Sequence, residues 1–238
     1  MSFKAVLFDL DDTLYAYAPC NGEGLRAAYN LLAHEFDIPF EQFLSVHEEV
    51  RQDLAKHLEQ QAARHNRILF FKRILERQIG RADPKLAVQL YQCYWNAFIE
   101  HMKPNANVNQ VLAALSSFYQ MALVSNHTTI PQLKKVHRLG FDQFFPIVIT
   151  SEEAGVEKPD SRIFEMALHQ LKVSAKEAVF VGDSPDGDIA GAQAVGLTTI
   201  HTVEYLESTS GAPCADHTIH RLGDLLELLL PADRARPA

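Results

Sequence analysis

The stretch AVLFDLDDTL, residues 5–14, decides how the rest of this chain is organised. Its apolar beginning is typical of a strand buried on both faces of a parallel sheet. The acidic residues then lie at the carboxyl end of that strand, where open α/β sheets bind their ligands. Because side chains alternate along a strand, Asp9 and Asp11 are predicted to point to one side. Two such carboxylates attract a divalent cation, although a plain acidic turn would contain the same residue types.

Three later stretches also place polar or charged residues after apolar runs. They are LVSN at residues 123–126, EKPD at residues 157–160 and VFVGDSPDGD at residues 179–188. With the cluster that begins at Asp9, they resemble, in order, the four motifs of the haloacid dehalogenase superfamily of phosphotransferases. One such motif is weak evidence, whereas four in sequence form a specific pattern.

The rest of the chain divides into a helical block and an alternating block. Helical periodicity without a strand signal fills residues 15–104. Helix boundaries are predicted there at Asn21, Pro39, Gly80 and Asp83. Apolar runs then alternate with helical segments, which predicts a doubly wound parallel sheet. The predicted fold class is α/β and Rossmann-like, with an α-helical cap domain (15–104) inserted into a core domain (1–14 and 105–238).

In the alternating block, helix starts are predicted at Asn107, at Thr128 or Thr129, at Asp160 and at Asp186, and a helix end at Gly140. The last predicted strand covers residues 197–200. His217 and His220 have the spacing of a metal-binding pair, but no third ligand lies near them in sequence. We therefore predict that both histidines are surface or packing residues.

Composition and charge limit the function classes. Of 238 residues, 47% are hydrophobic and 22% are charged, as in a globular protein with a sizeable core. The net charge of −8 argues against nucleic acid as a main partner but not against a small anionic substrate. No apolar run is long enough for a membrane span. The N-terminus leaves no room for a signal peptide, and Cys20, Cys93 and Cys214 show no paired spacing, so we expect a cytoplasmic protein.

The resemblance implies a role for each carboxylate. Asp9 would be the nucleophile that forms an aspartyl phosphate, and Asp11 the general acid/base. Halide-removing members of the superfamily lack an Asp at the second of these positions, so Asp11 favours a phosphotransferase. Asp183 and Asp188 would bind Mg²⁺ together with Asp9 and the backbone carbonyl of Asp11, with Asp188 bound directly or through water. Asp12 is expected to have a structural role.

The two middle motifs would hold the phosphate. Ser125 and the backbone of Asn126 resemble a phosphate-binding loop, although a plain Ser-Asn turn is the alternative. Lys158 resembles the lysine that offsets negative charge during transfer. The family often has glycine after the Asn, whereas this chain has His127, which places an imidazole near the site.

Substrate recognition is expected in the cap, because the core motifs are used for phosphate and metal. The segment RHNR at residues 64–67 begins the third cap helix, and Arg67 is a candidate substrate-binding residue. A solvated basic turn is the alternative for this segment.

These patterns predict a Mg²⁺-dependent phosphatase that hydrolyses a small phosphorylated metabolite, either a nucleoside monophosphate or a sugar phosphate. Neither nucleic acid nor a membrane is expected as a partner, and the chain is expected to be a monomer or a homodimer. Two alternatives stay open. One is a phosphomutase, which shares the Asp pair, and the other is a non-catalytic binding or regulatory protein on the same fold.

Overall fold

The core of the molecule is a parallel sheet of six strands, seen in a computed structural model that describes residues 3–205 and 215–230. The strands are β1 (Ala5–Phe8), β2 (Gln120–Ser125), β3 (Ile147–Thr150), β4 (Ala178–Gly182), β5 (Thr198–Thr202) and β6 (His217–Ile219). Their order across the sheet is β3-β2-β1-β4-β5-β6, and every pair is parallel. The predicted doubly wound α/β fold is confirmed.

The strand order makes the carboxyl end of β1 the natural place for a site. Phe8, the last residue of β1, is level with Leu123 of β2 and Val181 of β4. The sheet continues to β3 on one side and to β5 and β6 on the other. Parallel sheets bind ligands where the winding direction changes in this way, so Asp9, the residue after β1, lies at the switch point.

A helical block lies between β1 and the next strand. Its helices are α1 (Tyr17–Ala33), α2 (Phe40–His57), α3 (Arg67–Ile79) and α4 (Pro84–His101). The backbone N–H of Asn105 donates to the carbonyl of Leu14 at 3.3 Å, so the segments that enter and leave the block lie side by side. This arrangement is what an inserted cap requires, and the division into cap and core at these positions stays a prediction.

The remaining helices accompany the sheet. They are α5 (Val108–Ser116), α6 (Thr129–Leu139), α7 (Ser151–Ala154), α8 (Ser161–Leu171), α9 (Ala190–Ala194) and α10 (Asp224–Leu229), with a π-helical turn at Pro185–Ile189. Alternate side chains of β1 point to opposite faces of the sheet. Ala5 and Leu7 pack in a cluster with α8, whereas Val6 and Phe8 belong to a cluster that continues into the helical block. The block and the sheet therefore share buried apolar surface.

Two predicted helix starts are wrong. Asn21 lies inside α1, where its Oδ1 accepts a hydrogen bond from the Tyr94 hydroxyl at 2.6 Å. The helix begins earlier because Asp12 accepts a hydrogen bond from the backbone N–H of Tyr17 at 2.8 Å. Asp186 lies within the π-helical turn, and Ser184 caps that turn instead by accepting from the N–H of Gly187 at 3.1 Å.

Most other predicted boundaries are confirmed. The helices begin or end at the residues expected, which are Pro39, Gly80, Asp83, Asn107, Thr128, Gly140 and Asp160. Strand β6 and α10 were not predicted. The three residues of β6 contain no apolar run. His217 and His220 are exposed at this edge, as expected for surface residues.

Two further observations concern the whole of the described chain. Cys20 and Cys93 are free thiols, whereas Cys214 lies outside the described residues. Across residues 3–205 and 215–230, no helix combines the length and the apolar character that a membrane span requires.

Candidate active site

Three carboxylates meet at the carboxyl edge of the sheet. Asp9 follows β1, Asp183 follows β4, and Asp188 lies in the π-helical turn, and one oxygen from each lies within 4.8 Å of the others. The turn can fold back onto the strand end because Gly182 has no side chain. A Cβ atom at Gly182 would lie 2.6 Å from Cγ of Asp188. The backbone thus allows the third carboxylate to reach the other two.

Lys158 is the cation of this cluster. Its Nζ lies 2.5 Å from Oδ1 of Asp9 and 2.6 Å from Oδ1 of Asp188. The side chain of Asn126 fixes the lysine loop from the next strand end. It accepts from the backbone N–H of Lys158 at 2.8 Å and donates to its carbonyl at 3.1 Å. The Asn126 side chain is therefore engaged in holding Lys158, and its predicted role in phosphate binding concerns its backbone.

The cluster carries more negative than positive charge. Burial raises the pKa of Asp9 to about 7 in spite of nearby Lys158, and burial together with Asp9 raises the pKa of Asp183 to about 8. Burial alone would lower the pKa of Lys158, but Asp188 and Asp9 raise it above its ordinary value. When ionised, three carboxylates face one ammonium, and a divalent cation would balance the difference. Carboxylate oxygens are ligands that Mg²⁺ takes, so the donor set fits this ion.

Asp11 belongs to the same cavity but has other partners. Both of its carboxylate oxygens accept hydrogen bonds from Nζ of Lys135 at 2.8 Å. The hydroxyl of Tyr15 donates to Oδ1 at 2.5 Å. Burial alone would raise the pKa of Asp11, but the Lys135 ammonium and the Tyr15 hydroxyl hold it below its ordinary value. The side chain of Asp11 is thus separate from the cluster of Asp9, Asp183 and Asp188.

A cavity of about 290 Å³ lies beside these groups. The predicted site residues all line it, namely Asp9, Asp11, Arg67, Ser125, Asn126, Lys158, Asp183 and Asp188. A larger cavity of about 550 Å³ lies between α2 and α3, and none of the predicted site residues lines it. Its wall includes Arg77, which is already paired with Glu49 at 3.2 Å and with Asp53, so the smaller cavity is the candidate active site.

Arg67 reaches this cavity from the helical block. It is only 8% exposed, and its guanidinium donates to the Tyr17 hydroxyl at 2.5 Å and lies 4.5 Å from the centre of the Phe70 ring. Among the described residues, no carboxylate lies within ion-pair distance of Arg67, and its Nε has no hydrogen-bond partner. Its neighbour Arg64 binds Glu157 of the core at 2.6 Å. The solvated basic turn is therefore wrong for this segment.

His127 stands where the family often has glycine. The imidazole is buried between the His65 ring and the Trp95 ring, each 5.5 Å away between ring centres. Burial, with help from Lys135 and other nearby cations, lowers its pKa well below the ordinary value. His127 is therefore neutral at physiological pH and forms part of the cavity wall.

Two residues of the site environment were missed from sequence, and both lie on α6. Gln132 donates to Oγ of Ser125 at 2.5 Å, and Lys135 binds Asp11. Both are fully buried. A signal was present, because Gln132, Lys135, Val136 and Leu139 occupy the spacing of one buried helix face. Polar residues within such a stripe indicate a buried polar partner.

The chain is similar to known hydrolases along most of its length. The family model of the haloacid dehalogenase-like hydrolases matches residues 3–196. A ribulose-1,5-bisphosphate 5-phosphatase of Halopiger xanaduensis is 39% identical over 237 residues, covering 94% of this chain and 98% of that protein. A glyceraldehyde 3-phosphate phosphatase of Methanopyrus kandleri is 32% identical, covering 95% of this chain and 97% of that protein.

A solved structure of the same family has a similar fold. The crystal structure of a HAD phosphatase from Thermococcus onnurineus matches 96% of this chain and 98% of its own, with a TM-score of 0.73 and 26% identity. The predicted phosphatase class is confirmed by these relatives. This chain belongs to the haloacid dehalogenase-like hydrolase family and is a phosphoric monoester hydrolase.

Proposed function

We propose that this enzyme is a Mg²⁺-dependent phosphatase of a small sugar phosphate, and that it acts through an aspartyl phosphate at Asp9. The observation that carries the proposal is the cluster of Asp9, Asp183 and Asp188 with Lys158 beside one cavity. Both similar phosphatases described above are named for phosphorylated sugars. We therefore favour a sugar phosphate over a nucleoside monophosphate.

The metal would be held by the carboxylates already described. Asp9 and Asp183 would bind Mg²⁺ through their side chains and Asp11 through its backbone carbonyl, while Asp188 would bind directly or through water. When bound, the ion offsets the negative charge of the phosphate and of the carboxylates that surround it. Lys158 offsets the same charge from the protein side, because its ammonium is held between Asp9 and Asp188.

The chemical steps then belong to the two aspartates of the first motif. A carboxylate oxygen of Asp9 attacks phosphorus, the ester bond breaks, and Asp11 gives a proton to the leaving oxygen. Asp11 next removes a proton from a water molecule, which attacks the phosphoryl group and releases phosphate and free Asp9. Asp11 is ionised in the free protein, and the anionic substrate beside it favours its protonated form when the proton is needed.

Substrate binding would involve Arg67 and Ser125, which both line the cavity. Ser125 lies at the end of β2, where its hydroxyl and the following backbone would hold phosphate oxygens. Arg67 would bind an anionic or hydroxyl group remote from the phosphoryl group. A buried guanidinium without a carboxylate partner is costly, and a substrate oxygen would supply the partner.

Other expectations complete the proposal. The block 15–104 would act as a cap over the cavity, since Arg67 and Tyr17 line it from that side. The partner would be the small phosphorylated substrate alone. A cytoplasmic location, and a monomer or homodimer as the assembly, stay predictions.

The test is phosphate release by the purified chain from sugar phosphates, nucleoside monophosphates and 4-nitrophenyl phosphate. We expect higher kcat/KM for a sugar phosphate, loss of turnover in excess chelator and recovery with Mg²⁺. Ca²⁺ should restore little activity, because its larger and looser coordination shell misplaces the nucleophile. Full activity in chelator would remove the metal from the proposal. A preference for nucleoside monophosphates would favour a nucleotidase, and isomerisation of the substrate without phosphate release would favour a mutase.

A further inference from the structure

Lys135 of α6 is a buried cation in an unusual setting. Its side chain is fully buried, and its Nζ lies within 6 Å of the centres of four aromatic rings: Tyr15 at 5.9 Å, Tyr17 at 5.4 Å, Trp95 at 5.6 Å and Phe98 at 5.2 Å. Aromatic faces attract a cation, and the attraction is larger when water is excluded. The rings thus form a cage around the ammonium.

The cage joins two parts of the molecule. Lys135 itself belongs to the core, since α6 follows β2. Tyr17 belongs to α1, whereas Trp95 and Phe98 belong to α4, and both helices lie in the inserted block. The ammonium of a core helix is therefore surrounded largely by side chains of the block.

Inside the cage the ammonium has one anionic partner. Both oxygens of Asp11 lie 2.8 Å from Nζ of Lys135, and the described chain offers no second carboxylate within ion-pair distance of it. Two bonds from one donor group fix both the position and the rotation of the carboxylate. The Tyr15 hydroxyl adds a third bond to Asp11, at Oδ1. Asp11 is thereby held at the cavity wall in one orientation.

We propose that Lys135 is a positioning residue that sets the orientation of Asp11, with its ammonium held in place by aromatic rings that come largely from the inserted block. The inference rests on the proposed function, in which Asp11 is the general acid/base. A buried lysine that served packing alone would be better replaced by an apolar side chain, because taking an ammonium out of water is costly. The pairing with Asp11 explains why a cation occupies this position.

The decisive measurement compares two substrates of similar shape, 4-nitrophenyl phosphate and phenyl phosphate. The phenyl leaving group is more basic and depends more on a proton from Asp11. In Lys135→Met, we expect kcat/KM for phenyl phosphate to fall by roughly tenfold or more and that for 4-nitrophenyl phosphate by less than about threefold, as for a misplaced general acid. Lys135→Gln keeps a donor and should lie between wild type and Lys135→Met.

Lys134→Met is the matched control, because Lys134 is the adjacent lysine of α6 and is exposed. This substitution should leave kcat/KM for both substrates unchanged. If Lys135 had a purely structural role, Lys135→Met would lower kcat/KM equally for both substrates, and that result would overturn the proposal. Absence of turnover by the wild-type chain on either substrate would instead count against the proposed function.

If Lys135→Met does not fold, a double variant tests the same proposal. Removing the ammonium leaves the Asp11 charge buried and unpaired, and Asp11→Asn relieves that defect. The Asp11→Asn, Lys135→Met protein should therefore fold, as judged by cooperative melting. If Lys135 acts through Asp11, kcat/KM for phenyl phosphate in this protein should equal that of Asp11→Asn alone. A further loss of tenfold would contradict the proposal.

Discussion

At the scale of single residues, the site is built from charges that a stable core would avoid. Asp9 is 5% exposed, and its neighbours include the carboxylates of Asp183 and Asp188. Burial, together with the carboxylates of Asp188 and Asp11, favours the protonated form, which is why its pKa is raised to about 7 in spite of the nearby Lys158 ammonium. In the proposed mechanism Asp9 must nevertheless be ionised, which costs free energy that a bound cation would offset.

The first prediction concerns the substitution Asp9→Asn. It preserves the shape but removes the attacking charge, so turnover of 4-nitrophenyl phosphate should fall by at least about a thousandfold, as when a covalent nucleophile is lost. The metal-free variant should melt at or above the wild-type temperature at pH 8, because carboxylate repulsion is relieved. Asp142→Asn, at an exposed position, is the control and should change neither quantity. Substantial turnover by Asp9→Asn would refute the covalent mechanism.

The second prediction concerns Arg67. Arg67→Met keeps much of the packing on Phe70 but removes the buried guanidinium. We expect KM for a sugar phosphate to rise roughly tenfold, while kcat/KM for 4-nitrophenyl phosphate stays within about twofold, because the lost contact is remote from the phosphoryl group. Arg73 lies on the same helix and has an exposed side chain, so Arg73→Met is the control and should change neither KM nor kcat/KM. Equal losses on both substrates would mean that Arg67 supports the fold rather than the substrate.

Residues in contiguous motifs were predictable, whereas the partners of residues that act across the fold were not. Asp9 and Lys158 follow apolar runs at family spacing, and the cavity contains both. Lys135 is a single lysine in a helix, and most such residues are solvated, so only the tertiary structure shows its cage. The burial of Arg67 also depends on Tyr17 of α1 and on the Tyr94 ring of α4, and no local pattern in its own segment indicates these two residues.

At the scale of elements, the packing of α1 on α4 determines how the block is built. Gly24 of α1 lies against the Tyr94 ring, and a Cβ atom there would be 2.8 Å from two ring carbons and 3.0 Å from the Tyr94 carbonyl oxygen. The ring has little freedom to move, since Tyr94 is fully buried and its hydroxyl binds Asn21. A small residue at Gly24 thus allows the close approach of the two helices.

The third prediction follows from this contact. Gly24→Ala should lower the free energy of unfolding by about 1–2 kcal/mol, because the clash outweighs the gain in helix propensity. Gly22→Ala is a matched control on the same helix, where nothing lies within 4 Å of an added Cβ atom. It should raise the free energy of unfolding by about 0.5–1 kcal/mol. Urea unfolding measures both, and equal effects of the two substitutions would contradict the packing argument.

The elements that sequence predicted well have local causes. Asp160 precedes α8 and Asp83 precedes α4, and each of these side chains accepts a hydrogen bond from the first turn of its helix. Asn21 was misleading because its oxygen is satisfied by Tyr94, far away in sequence. Strand β6 depends on pairing with β5, and the exposed His217 and Thr218 give it no apolar pattern.

At the scale of the whole molecule, protons and metal ions compete for the same carboxylates. The raised pKa values of Asp9 and Asp183 mean that the metal-free fold is favoured when these groups are protonated. Their contribution to stability is fully present below the ordinary carboxylate pKa and is lost as pH rises through about 7 and 8. Protons and Mg²⁺ should therefore exclude one another in this cluster.

The last prediction is that Mg²⁺ affinity depends on pH. Because Asp9 must lose a proton that it holds with a pKa of about 7, the Kd for Mg²⁺ should fall at least about tenfold between pH 6 and pH 8, with protons released to the buffer. The rise in Tm caused by Mg²⁺ should grow over the same range. Titration calorimetry in buffers of different ionisation enthalpy measures both the affinity and the proton release. Asp183→Asn should bind weakly at every pH. A Kd that is independent of pH in the wild-type protein would mean that the cluster is already ionised at pH 6 and would contradict the competition described here.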